Sequence, residues 1–401
     1  MMNIKQTNKL FTFFSLYIAQ SVPMSLFSTL LPVLMRQGNF SLSTIGLLQL
    51  MKLPWILKIF WAPLVDRKTS ELSTYKRWIF SSEMVYAVLI LLVAFLDLKT
   101  NFYTIFALII LSFIASATQD IATDALTALS FNRRERGVAN SMQSMGSFAG
   151  AVVGGGLLLL HYKFIGWSNL MISVSFFVML ALVPLFFYKD KKFTPRQGHA
   201  PIRMKDLWLF FHQKGVGRQL VFLILCYSGL IGILAMVKPY MVDLGYKTGE
   251  IGVIFGIFGS LCGCLFSFVG GYVIRSVGRY YSRILFACLV LATTLLFYFL
   301  SLSTPGKLML YVAIFCLWAS YGLSSVLVNT VAMDFLRDGR EGTDFTLQTV
   351  ITHLSSMIIA VFSGKLADCL GYSGLFLIEC GLAVSSLIFI LVSFKKTSHH
   401  E

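Results

Sequence analysis

Twelve apolar runs, each long enough to cross a lipid bilayer as a helix, divide this chain of 401 residues. A helix needs about 20 apolar residues to span the hydrocarbon core. An isolated run in lipid must satisfy its own backbone, and these runs lack the alternation of a barrel strand. Only 13% of the residues are charged, against about 25% in a soluble domain. We therefore predict an all-α membrane protein with twelve transmembrane helices.

The basic residues predict how the chain lies in the membrane. Lys and Arg number 33, Asp and Glu 18, which gives a formal charge of +15. If the N-terminus is cytoplasmic, most of the 33 fall in the two tails and the even-numbered connections. Only Lys52, Lys58 and Lys238 lie inside predicted helices. By the positive-inside rule, we expect both termini in the cytoplasm, and the charge does not indicate a nucleic-acid partner.

An internal repeat divides the chain into two similar halves. At an offset of 205 positions, RGVANSMQ from Arg136 aligns with EGTDFTLQ from Glu341, and Gly166 aligns with Gly371. Six helices per half give both halves the same orientation, a parallel repeat. We predict a six-helix bundle at 1–188, a cytoplasmic linker at 189–217 and a second six-helix bundle at 218–401. The linker contains an amphipathic stretch, Met204–His212, expected on the membrane surface.

Two short motifs resemble the cytoplasmic signature of the major facilitator superfamily, Gly-x-x-x-Asp-Arg-x-x-Gly-Arg. The first runs from Ala62 through Asp66 and Arg67, and the second from Gly270 through Arg275 to Arg279. In that family the signature latches the cytoplasmic gate, so the resemblance implies a gate role for Asp66, Arg67, Arg275 and Arg279. Ala62 replaces the glycine of the first copy and Ile274 the aspartate of the second. We expect only Asp66 and Arg67 to form a working latch.

Two further stretches narrow the resemblance within this superfamily. Leu53–Arg67 and Ser116–Ala125 resemble the AmpG-type muropeptide permeases and the RhtX/FptX siderophore importers, in the peptide–acetyl-CoA–drug transporter group. The resemblance implies a multi-pass permease of the bacterial inner membrane that works by alternating access. Its expected activity is the proton-coupled uptake of a small-molecule substrate. We expect the permease to work as a symporter and to be a monomer. A siderophore and an anhydro-muropeptide both fit as the substrate.

Three charged residues inside predicted helices are candidates for proton coupling. Asp120 and Asp124 lie one turn apart on the fourth predicted helix, at 102–130, and share a face. Lys58 in the second helix lies at a similar distance from the cytoplasmic end. Because an intramembrane charge is costly, each needs a reason to be there. We expect Lys58 to form an ion pair with Asp120 or Asp124 and to swap partners with a proton during the transport cycle. The alternative is a static ion pair that holds the second and fourth helices together.

Uncharged polar side chains in the predicted helices are candidates for a substrate-binding cavity. Amides donate and accept hydrogen bonds, which suits a solute rich in hydroxyl and amide groups, and a lysine suits an anionic group. The alternative for each is a hydrogen bond to a neighbouring helix, and for His353 a satisfied core position. The predicted substrate-binding residues are Gln20, Gln49, Lys52, Gln119, Tyr227, Asn329, Gln348 and His353.

No motif in the sequence indicates catalysis, a cofactor or a metal site. It contains no Walker-type phosphate loop, no G-x-S-x-G and no H-E-x-x-H, so we do not expect an enzyme. Two alternatives to an importer remain: a non-transporting scaffold or sensor on the same fold, and an exporter of drugs or metabolites. The paired intramembrane aspartates disfavour the scaffold, which has no need to bury them.

Overall fold

The structure is a computed structural model, and it describes residues 4–37, 47–67, 72–98, 100–188 and 205–394. Every regular element in these ranges is helical. Among the described residues, eight helical segments are long and apolar enough to cross a membrane, so this is a multi-pass membrane protein. These segments are Gln6–Met35, Phe102–Ser130, Arg136–Tyr162, Phe164–Phe187, Val216–Asp243, Gly249–Ser301, Lys307–Phe335 and Glu341–Ser393.

The α-helices are numbered here in chain order. The first half contains α1 (Ile4–Gln37), α2 (Leu53–Leu57), α3 (Ala62–Asp66), α4 (Leu72–Val93), α5 (Phe102–Ser130), α6 (Arg136–Val152), α7 (Leu158–Ala181) and α8 (Val183–Phe187). The second half contains α9 (Lys205–Phe210), α10 (Val216–Leu225), α11 (Ser228–Asp243), α12 (Thr248–Ile251), α13 (Gly259–Ser301), α14 (Lys307–Ala332) and α15 (Glu341–Ser393). Two π-helical segments, Val153–Leu157 and Gly252–Phe258, lead into α7 and α13.

The second predicted helix is not continuous in the structure. It consists of α2 and α3, preceded by the 3₁₀ segments Leu47–Lys52 and Lys58–Phe60 respectively. Pro54 and Pro63 lie in the first turns of α2 and α3. Proline has no N–H to donate to the preceding turn, so it begins a helix readily but interrupts one that is already running. The break places Lys58 at a change of helix type, with its side chain buried.

Glycines in the left-handed backbone region bend three of the long helices. Gly166 in α7 has φ +73°, Gly278 in α13 has φ +81° and Gly371 in α15 has φ +70°. A side chain would strain these positions. Gly166 and Gly371 are also equivalent in the sequence repeat, and their ψ angles, −180° and 175°, agree. Helices α13 and α15 each cover two of the predicted transmembrane runs, so the twelve-helix count stays a prediction.

The chain forms two compact units, and each unit includes a short segment from the other half of the sequence. The first unit consists of Met1–Phe131, Gly146–Leu207 and Leu336–Leu347, and the second of Asn132–Met145, Trp208–Phe335 and Gln348–Glu401. Each unit has its own apolar core. Phe27, Tyr86 and Phe113 lie at the centre of the first, with Phe297 and Phe376 in the second.

Small residues let α6 approach α1 closely in the first unit. Gly146, Gly150 and Gly154 follow one another at intervals of four, on one face of the helix. A Cβ added at Gly150 would lie 2.4 Å from the Cβ of Ser21, and one at Gly154 would lie 2.1 Å from the carbonyl oxygen of Val22. The two backbones therefore touch along this stripe, as small residues allow between membrane helices.

The described end of the linker forms a short helix that is fixed by ion pairs. The sequence predicts an amphipathic stretch at Met204–His212, and α9 covers Lys205–Phe210. Phe210 is fully buried and Trp208 is 70% exposed, as expected of an amphipathic helix. Arg340 donates through Nε to Asp206 Oδ1 at 2.9 Å, and Arg337 donates to the Asp206 carbonyl at 2.8 Å. Residues 189–204 of the predicted linker lie outside the described residues.

Candidate functional site

A buried ion pair joins the broken second helix to α5. Lys58 Nζ lies 2.5 Å from Asp120 Oδ2, and the two side chains are 2% and 9% exposed. One turn along, Trp61 Nε1 donates to Thr118 Oγ1 at 3.1 Å, which fixes the 3₁₀ segment against α5. A lone charge at this place would be costly, but each of these two charges offsets the other. The buried pair is therefore compensated only while both partners are charged, and removal of either charge should destabilise the protein.

Asp124, the second aspartate on the same face of α5, has a different partner. The Tyr17 hydroxyl of α1 donates to Asp124 Oδ1 at 2.6 Å, and both side chains are buried. A phenol supplies one proton to a hydrogen bond but no positive charge. The two aspartates therefore differ in environment: Asp120 faces an ammonium group and Asp124 faces a neutral donor.

Of the predicted substrate residues of the first unit, two are buried, one is exposed and one has a side chain outside the described residues. Gln20 on α1 and Gln119 on α5 are buried. Both amide atoms of Gln119 have no hydrogen-bond partner among the described residues. Lys52 is exposed at the end of its 3₁₀ segment, where its ammonium is open to contact. The side chain of Gln49 lies outside the described residues.

The predicted substrate residues of the second unit are also divided. Tyr227 lies between α10 and α11 with its ring 5.6 Å from that of Tyr321, and Asn329 on α14 is half-buried. Gln348 is fully buried, and its Nε2 donates to the Ala332 carbonyl at 2.9 Å. That bond joins α15 to α14, the alternative that the sequence left open for each amide. His353 is exposed on α15 rather than held in a core.

The first signature motif binds the start of α15 within the first unit. Asp66 accepts hydrogen bonds from the backbone N–H of Gly342 at 3.2 Å and of Thr343 at 2.6 Å. The hydroxyls of Thr343 and Tyr75 also donate to it, each at 2.7 Å. The N–H groups at a helix start have no partner inside the helix, and a carboxylate suits their partial positive charge. Asp66 therefore caps α15.

The carboxyl of Asp66, the last residue of α3, lies outside the eight apolar spans. Burial raises the pKa of this carboxyl from 3.8 to about 6, while the hydrogen bonds from Thr343 and Tyr75 act in the opposite direction. Desolvation disfavours the charged form, and donors aimed at the carboxylate favour it. The contact between Asp66 and α15 therefore depends on protonation near neutral pH.

The second signature motif makes an apolar contact at the corresponding position. Ile274, which replaces the aspartate, is buried, and a Cβ added at Gly137 would lie 3.2 Å from its Cγ2. Gly137 follows the first residue of α6, as Gly342 follows the first residue of α15, and the repeat aligns the two glycines. In the second unit, the uncharged side chain of Ile274 therefore packs against the start of α6, where the first unit has the Asp66 carboxylate at the start of α15.

Of the four predicted gate residues, Asp66 and Arg279 are buried, whereas Arg67 and Arg275 are exposed. Arg279 donates through Nε to Asp334 Oδ2 at 2.9 Å and also contacts the Arg133 carbonyl. Arg136 lies 3.5 Å from the same carboxylate. Arg279, the last arginine of the second copy, therefore makes a buried contact, whereas Arg67 and its counterpart Arg275 are both exposed.

Sequence reasoning missed several partners of these groups. Thr343 lies inside the repeated segment from Glu341, so the repeat itself was a signal for that helix start. Tyr17, Tyr75 and Asp334 carry no comparable local signal, because their roles depend on which helices meet in space. Among the described residues, no group of three or more His, Cys, Asp or Glu could hold a metal ion.

The comparisons with known proteins agree with this architecture. The model of the Major Facilitator Superfamily matches residues 10–360, and the chain belongs to that family. It is 24% identical to the anhydromuropeptide permease of Escherichia coli, over 93% of this chain and 77% of that one. It is 23% identical to putative transporter AmpG 4 of Rickettsia conorii, over 96% of each chain. The fold is similar to the human organic anion transporter MFSD10 (TETRAN), with TM-score 0.75, 11% identity and coverage of 97% and 100%.

Proposed function

We propose that this major facilitator transporter is a proton-coupled importer of a large polar solute of the anhydromuropeptide class. In this proposal twelve helices cross the bacterial inner membrane, with both termini in the cytoplasm. The observation that carries the coupling is the buried ion pair between Lys58 and Asp120. Intramembrane charges are expensive and serve ion pathways more often than structure.

The pair offers a simple route for one proton. A proton that binds the Asp120 carboxylate removes its charge and with it the attraction that holds Lys58. The freed ammonium then needs a new partner, and Asp124, one turn away on the same face of α5, is a carboxylate within the same bundle. When Asp120 releases its proton, Lys58 returns. Lys58 thus pairs either with Asp120 or with Asp124. Proton binding is coupled to substrate movement if one of these pairings is compatible only with an outward-open site and the other only with an inward-open site.

The cap on α15 supports a role in gating. Four donors, from Gly342, Thr343 and Tyr75, hold the Asp66 carboxylate. If α15 moved away from α3, these bonds would break together and leave a buried carboxylate without donors. The contact therefore favours the packing of α15 against α3, and we assign Asp66 a part in the cytoplasmic gate. Arg279 with Asp334 supplies a second buried contact.

The substrate class is proposed from the relatives together with the chemistry of the predicted substrate-binding residues. The Escherichia coli relative is named an anhydromuropeptide permease, and that name is the basis for this class here. Gln20, Lys52 and Asn329 supply amide and ammonium groups of the kind that a peptide-bearing sugar can bind. A siderophore remains the second candidate from the sequence.

The proposal is tested by uptake into proteoliposomes with an imposed pH gradient, acidic outside. Labelled anhydromuropeptide should accumulate above its external concentration, and a protonophore should abolish the accumulation. Parallel assays use a ferric siderophore and an organic anion. Accumulation of either in place of the muropeptide contradicts the substrate class. No accumulation of any solute contradicts the importer and favours the scaffold.

A further inference from the structure

A second carboxyl group lies inside the first unit and has no role in the ion pair. Glu83 on α4 is 0% exposed, and neither of its carboxyl oxygens has a hydrogen-bond partner in the described part of the chain. It is eleven residues from the start of α4, which is Leu72, or about 16 Å along the axis at 1.5 Å per residue. Asp120 lies ten residues from the end of α5 at Ser130, or about 15 Å. The two acids are therefore at similar depth on neighbouring helices.

The surroundings of Glu83 are polar but uncharged. Tyr86, on the same helix, has both the Glu83 carboxyl and the Ser116 side chain beside its hydroxyl. That hydroxyl donates to the Gln20 carbonyl of α1 at 3.3 Å. From α7, the Ser175 hydroxyl donates to the Ala87 carbonyl at 2.8 Å. Among the described residues, Lys58 and Asp120 lie at this depth and are paired with each other, and Asp124, one turn along α5, accepts a hydrogen bond from Tyr17.

The facing helix carries polar atoms that match a protonated acid. Ser116, Gln119 and Thr123 follow one another at intervals of three and four on α5, so they share one face. All three are fully buried, and the amide of Gln119 and the hydroxyl of Thr123 have no hydrogen-bond partner among the described residues. An ionised carboxylate only accepts hydrogen bonds, but a protonated one also donates. Buried polar groups are nearly always satisfied, and a proton on Glu83 lets this acid donate as well as accept a hydrogen bond.

We propose that Glu83 is a second proton-binding site, and that it holds a proton in this conformation while Asp120 does not. An ionised carboxylate without a cation or a donor would be far more costly at this position than a neutral acid. The ammonium group of Lys58 lies against the Asp120 carboxylate and compensates a negative charge there. The proton passes from the Glu83 carboxyl to the Asp120 carboxylate when Lys58 leaves. This transfer leaves Glu83 charged and Asp120 neutral, so the charge of the bundle is unchanged.

The part of this inference that concerns transport rests on the proposed coupling, but the protonation of Glu83 can be measured without transport. Infrared spectroscopy of the reconstituted full chain detects the C=O stretch of a protonated carboxylic acid. At neutral pH, Glu83→Gln should lose one such band relative to the unmodified protein. The control is Glu379→Gln: Glu379 is a second buried acid, on α15 in the other unit, so its variant must retain the Glu83 band. If Glu83→Gln loses no band, Glu83 is ionised and the proposal is overturned.

A second variant keeps the test valid if Glu83→Gln does not fold. Tyr86→Phe leaves Glu83 in place and removes the hydroxyl beside it, so the Glu83 band should shift in frequency. A band that does not move overturns the proposed surroundings of the acid. In uptake assays, Glu83→Gln should lose pH-driven accumulation and retain solute exchange. If the band is lost in Glu83→Gln but the pH profile of uptake is unchanged, Glu83 is a structural acid and the second proton site is overturned. If Asp120→Asn also accumulates solute normally, it is the proposed coupling itself that has failed.

Discussion

Removal of one partner of the buried ion pair should destabilise the protein strongly. In Lys58→Gln, the Asp120 side chain, which is only 9% exposed, loses the ammonium group that lies 2.5 Å from its Oδ2. Breaking a buried pair in this way costs about 3–5 kcal/mol, because a buried charge is left without compensation. We expect a loss of this size in the free energy of unfolding at neutral pH. Asp120→Asn should cost a similar amount, since it leaves the ammonium of Lys58 alone.

The double variant separates the pair from its surroundings. Lys58→Gln combined with Asp120→Asn removes both charges, so it should cost less than the sum of the two single changes. Interacting neighbours show coupling energies of about 0.5–3 kcal/mol, and this pair should lie at the upper end. The exposed pair of Lys307 and Glu250 is a matched control: its atoms are 2.8 Å apart, but its side chains are 61% and 40% exposed. Breaking it should cost far less than breaking the buried pair, because solvent screens exposed charges.

The assay is denaturant unfolding of purified protein in one detergent, followed by tryptophan fluorescence. All four variants are measured at the same pH. If Lys58→Gln costs no more than Lys307→Gln, the pair is not a compensated buried charge, and the reasoning from its burial is wrong. Additive single and double changes would refute the coupling in the same way.

Three further predictions concern the gate, the glycine stripe and the linker. Because the Asp66 carboxyl has a pKa raised by burial from 3.8 to about 6, the native state binds more protons than the unfolded state between these values. The free energy of unfolding should then fall by about 3 kcal/mol as pH rises through this range, and Asp66→Asn should flatten that slope in a pH series of unfolding curves. Gly154→Ala should lower the free energy of unfolding by about 1–3 kcal/mol through overpacking against α1, while Gly256→Ala, where a Cβ meets nothing within 4 Å, should not; equal losses would contradict this. Asp206→Ala should remove the hydrogen bond from Arg340, cost about 1.5–3 kcal/mol and speed proteolysis in the linker, and unchanged cleavage would show that this bond does not fix α9.

Much of the helical organisation was predictable, because it depends on composition and periodicity along the chain. The run predicted at 102–130 coincides with α5, since a long apolar segment in lipid has no alternative to a helix. The repeat pairs Gly166 with Gly371, and both adopt positive φ. The broken second helix was not predicted, although Pro54 and Pro63 are visible in the sequence. Hydropathy reports whether a segment enters the membrane, not whether its backbone hydrogen bonds are continuous.

The candidate site was only partly predictable. Their spacing places Asp120 and Asp124 on one face of α5. The high free energy of an unpaired charge inside the membrane predicts that a buried lysine pairs with an acid. Spacing alone does not decide which aspartate receives Lys58, because that depends on how the 3₁₀ segment turns the lysine towards α5. Tyr17 could not be assigned to Asp124 without the packing of α1. Burial of Arg279 and exposure of Arg67 likewise depend on tertiary contacts, which similar motifs do not fix.

The central claim is that protonation of Asp120 couples the proton gradient to solute movement. The measurement that tests it most directly compares two modes of transport in the same proteoliposomes: accumulation driven by a pH gradient, and exchange of labelled for unlabelled solute without a gradient. Asp120→Asn should lose accumulation and retain exchange, because a permanently neutral side chain still permits the site to alternate. Accumulation at the level of the unmodified protein in Asp120→Asn would contradict the account.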